Sequence, residues 1–391
     1  MVPIKHKKSK PIILCFSSFY LPGFKSGGLV RSIVNFVENL ANEFEILIIC
    51  SDRDILDSKP YSNIRINTWC SVGKAKVFYA SNKALSISST IKLIRNTPHD
   101  ILYLNSIFSL HFSIIPLLIK FFFRSLHQPC VISPRGELST EALSLKKLKK
   151  FFFIKFAKYL KLHRNLFWLA SSGNEYSDIY KSFGQIVKRI EIISDNFKFI
   201  PILKSSIPKK GSETLRIIFL SRISPMKNLD YLLRVLFKVS EPLEVDIYGP
   251  IEDVGYWKIC QKLINILPSH IKLNIRGEIN SDNVQNIFLK YDLFVFPTKG
   301  ENFGHVILES LTASTPVLLS NLTLWKSDKL LGLKAIPLIE DLWVREIESW
   351  AKLTTQELFE RRKAALTRAN YFVKQIKKSS KNYKKFFFKI I

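Results

Sequence analysis

Short apolar runs alternate along the chain with longer segments whose apolar residues recur three or four positions apart. The short runs are rich in β-forming residues and predict buried strands, whereas the longer segments predict helices. Predicted strands cover residues 11–16, 44–50, 100–105, 130–134, 166–172, 191–196, 216–222, 244–249, 272–279, 291–297 and 315–320. Strands separated by helical crossovers are typical of parallel sheets, so the sequence predicts an α/β fold.

This alternation is interrupted once, near the middle of the chain. Residues 200–216 are rich in Pro, Ser and Lys and only weakly periodic, which predicts a linker. A chain of 391 residues is long enough for two domains of ordinary size. We therefore predict Rossmann-like domains over residues 1–200 and 201–373, with the ligand site in the cleft between them. A basic helix or tail over residues 374–391 follows.

A glycine-rich turn follows the first predicted strand. Gly23, Gly27 and Gly28 precede a helix that begins near Leu29. Glycines at a strand-to-helix turn let backbone N–H groups approach a phosphate closely, and Arg31 adds positive charge near the helix start. The turn lacks the GxGxxG pattern, so by itself it is weak support for a phosphate site.

Two glutamates, Glu301 and Glu309, occur in the segment "ENFGHVILE". The pattern places Glu301 in the loop after strand 291–297 and Glu309 about two turns into the next helix, which starts near Gly304. Ligands bind at the carboxyl ends of parallel strands, and helix N-termini favour anions. The glutamates therefore flank a predicted site for a phosphate-bearing ligand. A solvated loop glutamate with a helical surface glutamate is the alternative.

The net charge of +27 indicates an anionic partner. Nucleic acid, acidic lipid and sugar nucleotides all fit, but the sequence has no helix–turn–helix, RNP-type or zinc-finger signature, so nucleic acid is not expected. The five cysteines are scattered without a CxxC pair, which predicts a reducing compartment and no zinc site. Asp52 and Asp54 have the spacing of a metal-binding DxD motif but lie far from the phosphate signals, and we predict a solvated turn there.

Two segments raise the question of a membrane. Residues 106–126 are apolar, but they contain His111, Pro116 and Lys120, which favours a buried or interfacial helix over a membrane span. Residues 146–164 carry eight cations and no acid, interleaved with Leu, Phe and Tyr. Such a helix suits the headgroup region of an anionic membrane; a solvated helix packed by its other face on the sheet is equally compatible.

Motifs in both halves resemble a known family. The segments "FLSRISPMKNLD", "DIYGPIEDVGYW" and "FVFPTKGENFGHVILESLTASTPVLLS" are similar to the C-terminal signature of retaining family-4 glycosyltransferases. "SGGLVRS" and "SPRGELS" resemble N-terminal motifs of a bacterial polysaccharide-assembly subset. The resemblance, from about Pro11 to Trp325, implies the GT-B fold, with two Rossmann-like doubly wound domains facing each other across a cleft. The N-terminal domain would take the acceptor side, the C-terminal domain would bind a nucleotide sugar, and the final helix would return to the N-terminal domain.

The resemblance also implies roles for individual residues of a donor site. Arg222 and Lys227 would neutralise the nucleotide diphosphate and stabilise the departing charge. Glu309 would accept hydrogen bonds from the ribose, and Glu301 would contact hydroxyls of the donor sugar. The implied catalytic residues are Arg222, Lys227 and Glu301. The implied donor-binding residues are Gly27, Gly28, Arg222, Lys227, Glu301, Asn302, Phe303, Gly304 and Glu309.

Arg31, Arg135 and Gly136 are the candidates on the acceptor side. Many members of the family carry a histidine in the loop after the strand that corresponds to residues 130–134. Here that loop holds Arg135 and Gly136, so no histidine is assigned. Arg135 fits binding of acceptor or phosphate, and anchoring of its own loop fits nearly as well. His305, between the two glutamates, fits either an exposed or a donor-facing side chain.

The function implied by the resemblance is a retaining, hexosyltransferase-type reaction in bacterial surface-polysaccharide biosynthesis. A sugar would pass from a nucleotide-diphosphate donor to a lipid-linked or growing glycan, without metal or other cofactor. The basic N-terminus leads into a strand pattern, which is not that of a secretory signal. The expected location is therefore the cytoplasm, with peripheral association at the inner face of the membrane. The alternatives are a cytosolic GT-B transferase or phosphorylase-like enzyme with a soluble acceptor, and a non-catalytic glycan-binding relative.

Overall fold

The computed structural model describes residues 10–55, 57–123, 127–193, 214–280, 283–301, 303–327 and 332–391, with the backbone only at Glu141 and residues 375–380. Within these ranges the strands are β1 (Ile12–Phe16), β2 (Glu45–Ser51), β3 (Trp69–Val72), β4 (Ala75–Ala80), β5 (Ile101–Leu104), β6 (Cys130–Ile132), β7 (Phe167–Ala170), β8 (Arg189–Ile192), β9 (Leu215–Leu220), β10 (Leu243–Tyr248), β11 (Ile271–Gly277), β12 (Leu293–Phe296), β13 (Val317–Ser320) and β14 (Leu333–Ile336). The α-helices are α1 (Gly28–Leu40), α2 (Ile87–Asn96), α3 (Ile115–Phe122), α4 (Thr140–Ser144), α5 (Lys147–Tyr159), α6 (Gly173–Phe183), α7 (Leu229–Lys238), α8 (Val254–Ile264), α9 (Val284–Phe288), α10 (His305–Thr312), α11 (Glu340–Ala351) and α12 (Thr355–Ile390).

The described residues divide into two compact units, each built on one sheet. The first unit contains the described residues up to 193 and the chain from Ile376 onward, and the second runs from residue 214 to Gln375. Most of the predicted linker, residues 200–216, lies outside the described part of the chain. The predicted α/β fold with two parallel-sheet units is confirmed.

The sheet of the first unit has the strand order β3-β4-β2-β1-β5-β6-β7-β8, and among its described pairs only β3 and β4 are antiparallel. Leu14 in β1 lies between Leu47 of β2 and Leu102 of β5. Successive β1 residues enter separate apolar cores, Leu14 on one face and Ile13 and Cys15 on the other. Strand order reverses between β1 and β5, which creates the crevice where such sheets bind ligands.

The sheet of the second unit has the strand order β11-β10-β9-β12-β13-β14, and its described pairs are parallel. The β9 and β12 strands are the central pair, and the order reverses between them. The sheet is therefore doubly wound, and its crevice lies outside the carboxyl ends of β9 and β12.

A buried carboxylate joins the starts of these two central strands. Asp292 accepts hydrogen bonds from the backbone N–H of Arg216 at 3.0 Å and from Nη2 of Arg362, in α12, also at 3.0 Å. Both Asp292 and Arg362 are 0% exposed. Breaking such a buried pair from one side typically costs about 3–5 kcal/mol, since the remaining charge is left uncompensated.

The last turns of α12 complete the core of the first unit. Phe386 and Phe387 are buried there, and the Phe387 ring packs edge-to-face on Phe36 with 5.5 Å between ring centroids. Lys384 forms an ion pair with Glu43 at 2.6 Å. The basic tail is therefore structural where its aromatic residues enter the core, because these side chains are removed from water.

The apolar segment 106–126 is described up to residue 123. One π-helical turn, Leu110–Ile114, continues into α3, which buries Ile115, Leu117 and Ile119 in the core of the first unit. In the described part of the chain, no helix combines the length and apolar composition that a bilayer crossing requires.

His163 is a fully buried histidine in the first unit. Its ring lies 5.4 Å from that of Trp168 and 4.7 Å from that of Phe183, centroid to centroid. Neither ring nitrogen has a hydrogen-bond partner among the described residues. Burial lowers the pKa of His163 to about 3, so the side chain is neutral in the folded protein at neutral pH.

We expect this histidine to make folding stability depend on pH. Below about pH 6.5 the unfolded chain takes up a proton at His163 that the folded chain does not, so stability falls by about 1.4 kcal/mol per pH unit until about pH 3. His163→Phe should remove roughly 2 kcal/mol of the loss between pH 7 and pH 5, measured by chemical denaturation followed by tryptophan fluorescence. A change at the exposed His127 (His127→Phe) serves as the control. An unchanged pH dependence in His163→Phe would show that this ring is not the group responsible.

Candidate functional site

The carboxyl edge of the second sheet collects most of the predicted donor-site residues. Arg222 and Lys227 lie in the loop after β9, Glu301 lies in the loop after β12, and α10 begins at His305. Because these parallel strands are neighbours, their following loops meet at one edge, beside the point where strand order reverses. Asn302 lies outside the described residues.

Lys227 and Glu301 form an ion pair at this edge, with side chains that are 11% and 14% exposed. The Lys227 ammonium also lies 5.7 Å from the centroid of the Phe296 ring. A side chain also joins the two loops, since Nδ2 of Asn228 donates to the Pro297 carbonyl at 2.9 Å. This hydrogen bond supports the left-handed backbone of Asn228, whose φ is 64°.

Arg222 forms a second ion pair, donating from Nη1 to Oε1 of Glu252, in the loop after β10. The side chains are 29% and 28% exposed. The loops approach closely, because a Cβ at Gly249 would lie 1.8 Å from the Ser221 carbonyl oxygen, so only glycine fits. Glu252 is a candidate site residue that the sequence patterns did not select. The sequence feature that could have indicated it is an acid shortly after the end of β10, the strand beside β9.

The start of α10 depends on another glycine. Gly304 has φ +77° and precedes the helix, and a Cβ there would lie 2.7 Å from Ile307 Cδ1. The Trp325 indole N–H donates to the Phe303 carbonyl at 2.6 Å and fixes the preceding turn. Gly304 and Trp325 thus set the shape of the turn before α10, and a helix N-terminus of this kind is suited to binding an anion.

Glu309 is the fifth residue of α10, so it lies about one turn into the helix rather than the two turns predicted. The side chain is buried, at 5% exposure, which excludes the alternative of a helical surface glutamate. His305 is also buried, with its ring 5.5 Å from that of Phe303, so the exposed alternative for this histidine is wrong. These two side chains lie on the helix whose N-terminus borders the site.

In the first unit, the glycine turn is held by Asp54. Its carboxylate accepts hydrogen bonds from the backbone N–H groups of Phe24 at 2.7 Å and Lys25 at 2.9 Å. Asp52 and Asp54 are both buried, and Asp52 pairs with Arg53 at 2.8 Å. The predicted solvated turn is therefore wrong, because the glycine turn covers the Asp54 carboxylate and Arg53 pairs with that of Asp52. Two amides that the glycine turn could offer to a phosphate are already bonded.

The predicted ligand-binding residues Gly27, Gly28 and Arg31 lie where this turn leads into α1. Gly27 has φ +55° and α1 begins at Gly28. Arg31, half-buried on the first turn of α1, donates its backbone N–H to the Gly27 carbonyl at 3.1 Å. Their part in donor or acceptor binding stays a prediction.

Arg135 is buried beneath the carboxyl ends of β5 and β6. Its Nε donates to Asn105 Oδ1 and its Nη2 to the Tyr103 hydroxyl, both at 2.7 Å. The next residue, Gly136, donates its backbone N–H to Glu175 Oε1 at 2.6 Å. These contacts are those of the loop-anchoring alternative, and a role for Arg135 and Gly136 in acceptor binding stays a prediction.

Glu137, the acid of the "SPRGELS" motif, is a structural residue that the sequence patterns did not select. Its Oε2 accepts hydrogen bonds from the backbone N–H groups of Ile107 at 2.7 Å and Phe108 at 3.0 Å. Burial raises the pKa of this carboxyl, while those hydrogen bonds and that from Ser106 favour its charged form. The motif therefore fixes the loop that follows β5.

The helix α5 exposes most of its large side chains. The apolar ones are Leu148, Phe151, Phe152, Phe156 and Tyr159, and among its residues only Ala157 is buried. They are interleaved with the exposed cations Lys147, Lys149, Lys155 and Lys158. We call these nine side chains the α5 surface. Lys150 differs, because it turns inward and donates to the Ala142 carbonyl at 2.6 Å.

Among the described residues, no group of three or more His, Cys, Asp or Glu side chains is arranged to hold a metal ion. At this edge Arg222 and Lys227 are each in contact with a carboxylate, and the exposed Lys299 lies in the loop after β12. This arrangement is suited to binding an anionic ligand such as a diphosphate.

Residues 203–325, which contain this edge, match the family described as glycosyl transferases group 1. A curated relative, an uncharacterized glycosyltransferase of Methanocaldococcus jannaschii, is 29% identical over 109 residues. That alignment spans 27% of this chain and 27% of the relative's length.

Solved structures are similar over nearly the whole chain. HepE of Anabaena, in a crystal structure with UDP and glucose, is 15% identical, with a TM-score of 0.69 over 97% of this chain and 99% of that one. WaaG, a glycosyltransferase involved in lipopolysaccharide biosynthesis, is 13% identical, with a TM-score of 0.63 over 92% and 95%. The chain therefore has the Rossmann-like GT-B fold of these glycosyltransferases and contains a stretch that matches glycosyl transferases group 1.

Proposed function

We propose that the chain is a glycosyltransferase that takes a sugar from a nucleotide-diphosphate donor. The observation that carries the proposal is the carboxyl edge of the second sheet, where Arg222 and Lys227 follow one central strand and Glu301 follows its neighbour. This edge lies within the stretch that matches glycosyl transferases group 1. HepE is crystallised with UDP-glucose, which supports a nucleotide sugar as the donor here.

In this proposal the diphosphate binds Arg222 and Lys227, which stabilise the charge that develops on the leaving phosphate. The start of α10 donates backbone N–H groups from Phe303 and Gly304 to the donor. Glu309 accepts hydrogen bonds from the ribose. Glu301 orients the Lys227 ammonium, with which it is paired, and accepts hydrogen bonds from the sugar hydroxyls.

The reaction proposed is a transfer that retains the configuration of the sugar, in the manner of family-4 enzymes. The leaving phosphate accepts the proton of the attacking hydroxyl while the new bond forms on the same face. No side chain then needs to serve as a general base. Because Arg222, Lys227 and the start of α10 supply the positive charge, a divalent metal ion is not required.

The first unit is proposed to be the acceptor side, with Arg31, Arg135 and Gly136 at its ligand crevice. We propose a lipid-linked or growing glycan of surface-polysaccharide biosynthesis as the acceptor. The α5 surface supports a membrane location, because exposed aromatic side chains beside lysines suit the headgroup region of an anionic bilayer. WaaG, which shares the fold, is described as involved in lipopolysaccharide biosynthesis. A soluble acceptor is the competing proposal.

Binding of the donor should be detectable as thermal stabilisation by UDP-, GDP- or ADP-sugars. One nucleotide class should raise the unfolding temperature, since a ligand at a hundred times its Kd stabilises the folded state by about 2.7 kcal/mol. With that donor, Lys227→Ala should lose most of the shift and at least ~10²-fold of turnover, the scale for one preorganised electrostatic contact.

Lys262→Ala, at an exposed position on α8, is the matched control and should keep both. No shift with any of the three classes would contradict the proposed donor. Turnover of Lys227→Ala within a few-fold of wild type would show that this ammonium does not contact the phosphate.

Activity should survive chelation by EDTA. Asp52 and Asp54, the aspartates with DxD spacing, are committed to Arg53 and to the backbone of the glycine turn. Turnover with and without EDTA, measured at matched ionic strength, should agree within about twofold, because the cations take the place of the metal. Loss of activity that Mn²⁺ or Mg²⁺ restores would contradict the proposed metal-independent mechanism.

The α5 surface should bind anionic vesicles. Changing Lys147, Lys149 and Lys155 to Glu should abolish co-sedimentation with vesicles of phosphatidylglycerol and phosphatidylcholine at physiological salt. Attraction becomes repulsion within a Debye length of about 8 Å. Turnover on a soluble acceptor analogue should be largely kept, because the donor residues lie in the second unit.

The control for net charge reverses three exposed lysines of the second unit, Lys258, Lys262 and Lys272, to Glu. Both variants replace three lysines with glutamates, so they change the net charge equally. A difference in their co-sedimentation must then come from a site-specific interaction. Equal sedimentation of the α5 variant and the wild type would favour the soluble acceptor.

A further inference from the structure

Two cations at the carboxyl edge of the second sheet are neutralised by carboxylates of the same edge. Lys227 is paired with Glu301, and Arg222 is paired with Glu252. These four charges cancel, although the whole chain carries a net charge of +27. Glu301 has a place in the proposed donor site. Glu252 has none, so its position beside Arg222 requires a separate explanation.

The backbone fixes Glu252 opposite Arg222. The loop after β10 runs beside the loop after β9, and Ile223 donates its backbone N–H to the Pro250 carbonyl at 2.8 Å. Glu252 in turn donates its backbone N–H to the Ile223 carbonyl at 3.2 Å. Gly249 permits this approach, since any side chain there would collide with Ser221. The ion pair is thus built into two loops that cannot separate independently.

The pair is open to exchange with a ligand. Both side chains are more than a quarter exposed to solvent, so water screens the attraction between their charges. Only Nη1 of Arg222 contacts Glu252, which leaves the other edge of the guanidinium for a phosphate. A diphosphate carries more charge than a carboxylate and competes for Arg222.

We propose that Glu252 sets the affinity of the diphosphate site by competing with the nucleotide diphosphate for Arg222. The consequence is weaker binding of the nucleoside diphosphate product and faster release. This role rests on the proposed function, in which Arg222 binds the diphosphate. Glu252 is a positioning residue, because it acts through Arg222 and not on the reacting atoms.

The test compares Glu252→Gln with Glu241→Gln by isothermal titration with UDP, GDP and ADP. Each variant removes one carboxylate charge from an ion pair of the second unit, and the two glutamates are similarly exposed, at 28% and 30%. Glu241 precedes β10, at the opposite end of that strand from Glu252, and pairs with Lys352 at 3.2 Å. Glu252→Gln should bind the preferred diphosphate up to about fivefold more tightly, the scale of one exposed ion pair that no longer has to be exchanged. Glu241→Gln should match the wild type.

Two further measurements separate this role from a merely structural one. The gain in affinity should disappear when Arg222 is also changed to Ala, since Glu252 acts through that side chain. In turnover, Glu252→Gln should lower the KM for the donor and lower kcat through slow product release, while Glu252→Asp should stay near wild type.

The outcomes are distinct. Binding by the wild type that Glu252→Gln leaves unchanged or weakens overturns this role alone. A gain in affinity that persists in the Arg222→Ala background also overturns it. If the wild type binds none of the three diphosphates, the proposed function fails, and the role of Glu252 fails with it.

Discussion

The second unit depends on a buried charge at the foot of its sheet. Asp292 accepts hydrogen bonds from Arg216 at the start of β9 and from Arg362 in α12. Because β9 and β12 are the strands between which the order reverses, fixing their first residues also fixes where their carboxyl ends lie. The loops that carry Arg222, Lys227 and the start of α10 inherit that register. A buried ion pair adds little net stability, so here its contribution is to specify one arrangement.

Charge is distributed unevenly over the molecule. At the carboxyl edge of the second sheet Arg222 and Lys227 are paired with acids, whereas α5 exposes lysines among aromatic rings. The excess positive charge therefore lies more on the outer surface of the protein than at the candidate site. A site of balanced charge favours reversible binding, because a ligand exchanges one set of ionic contacts for another rather than meeting an uncompensated field.

Periodicity predicted the central strands well, because strands buried on both faces are continuous apolar runs that few other structures produce. The β3–β4 hairpin and β14 were not predicted: β3 and β14 are four-residue edge strands that are only partly buried. The burial of Asp54 follows from the glycine turn folding over it, a contact between segments that local patterns do not encode. Glu252 was missed for the same reason, since its significance comes from the approach of two loops at Gly249.

The core of the first unit is incomplete until Phe386 and Phe387 have been synthesised, because both side chains are part of it. The rings on which Phe387 packs belong to α1, β5 and the loop before β2, more than 280 positions earlier in the sequence. The first sheet can form its hydrogen bonds as it leaves the ribosome. The aromatic side chains on one of its faces, however, stay exposed to solvent until residue 387 has been synthesised. The second unit needs nothing beyond Gln375 and so can close sooner. The core of the domain that is translated first is thus completed last. Until then, this domain exposes the apolar surface of the nascent chain to which chaperones bind.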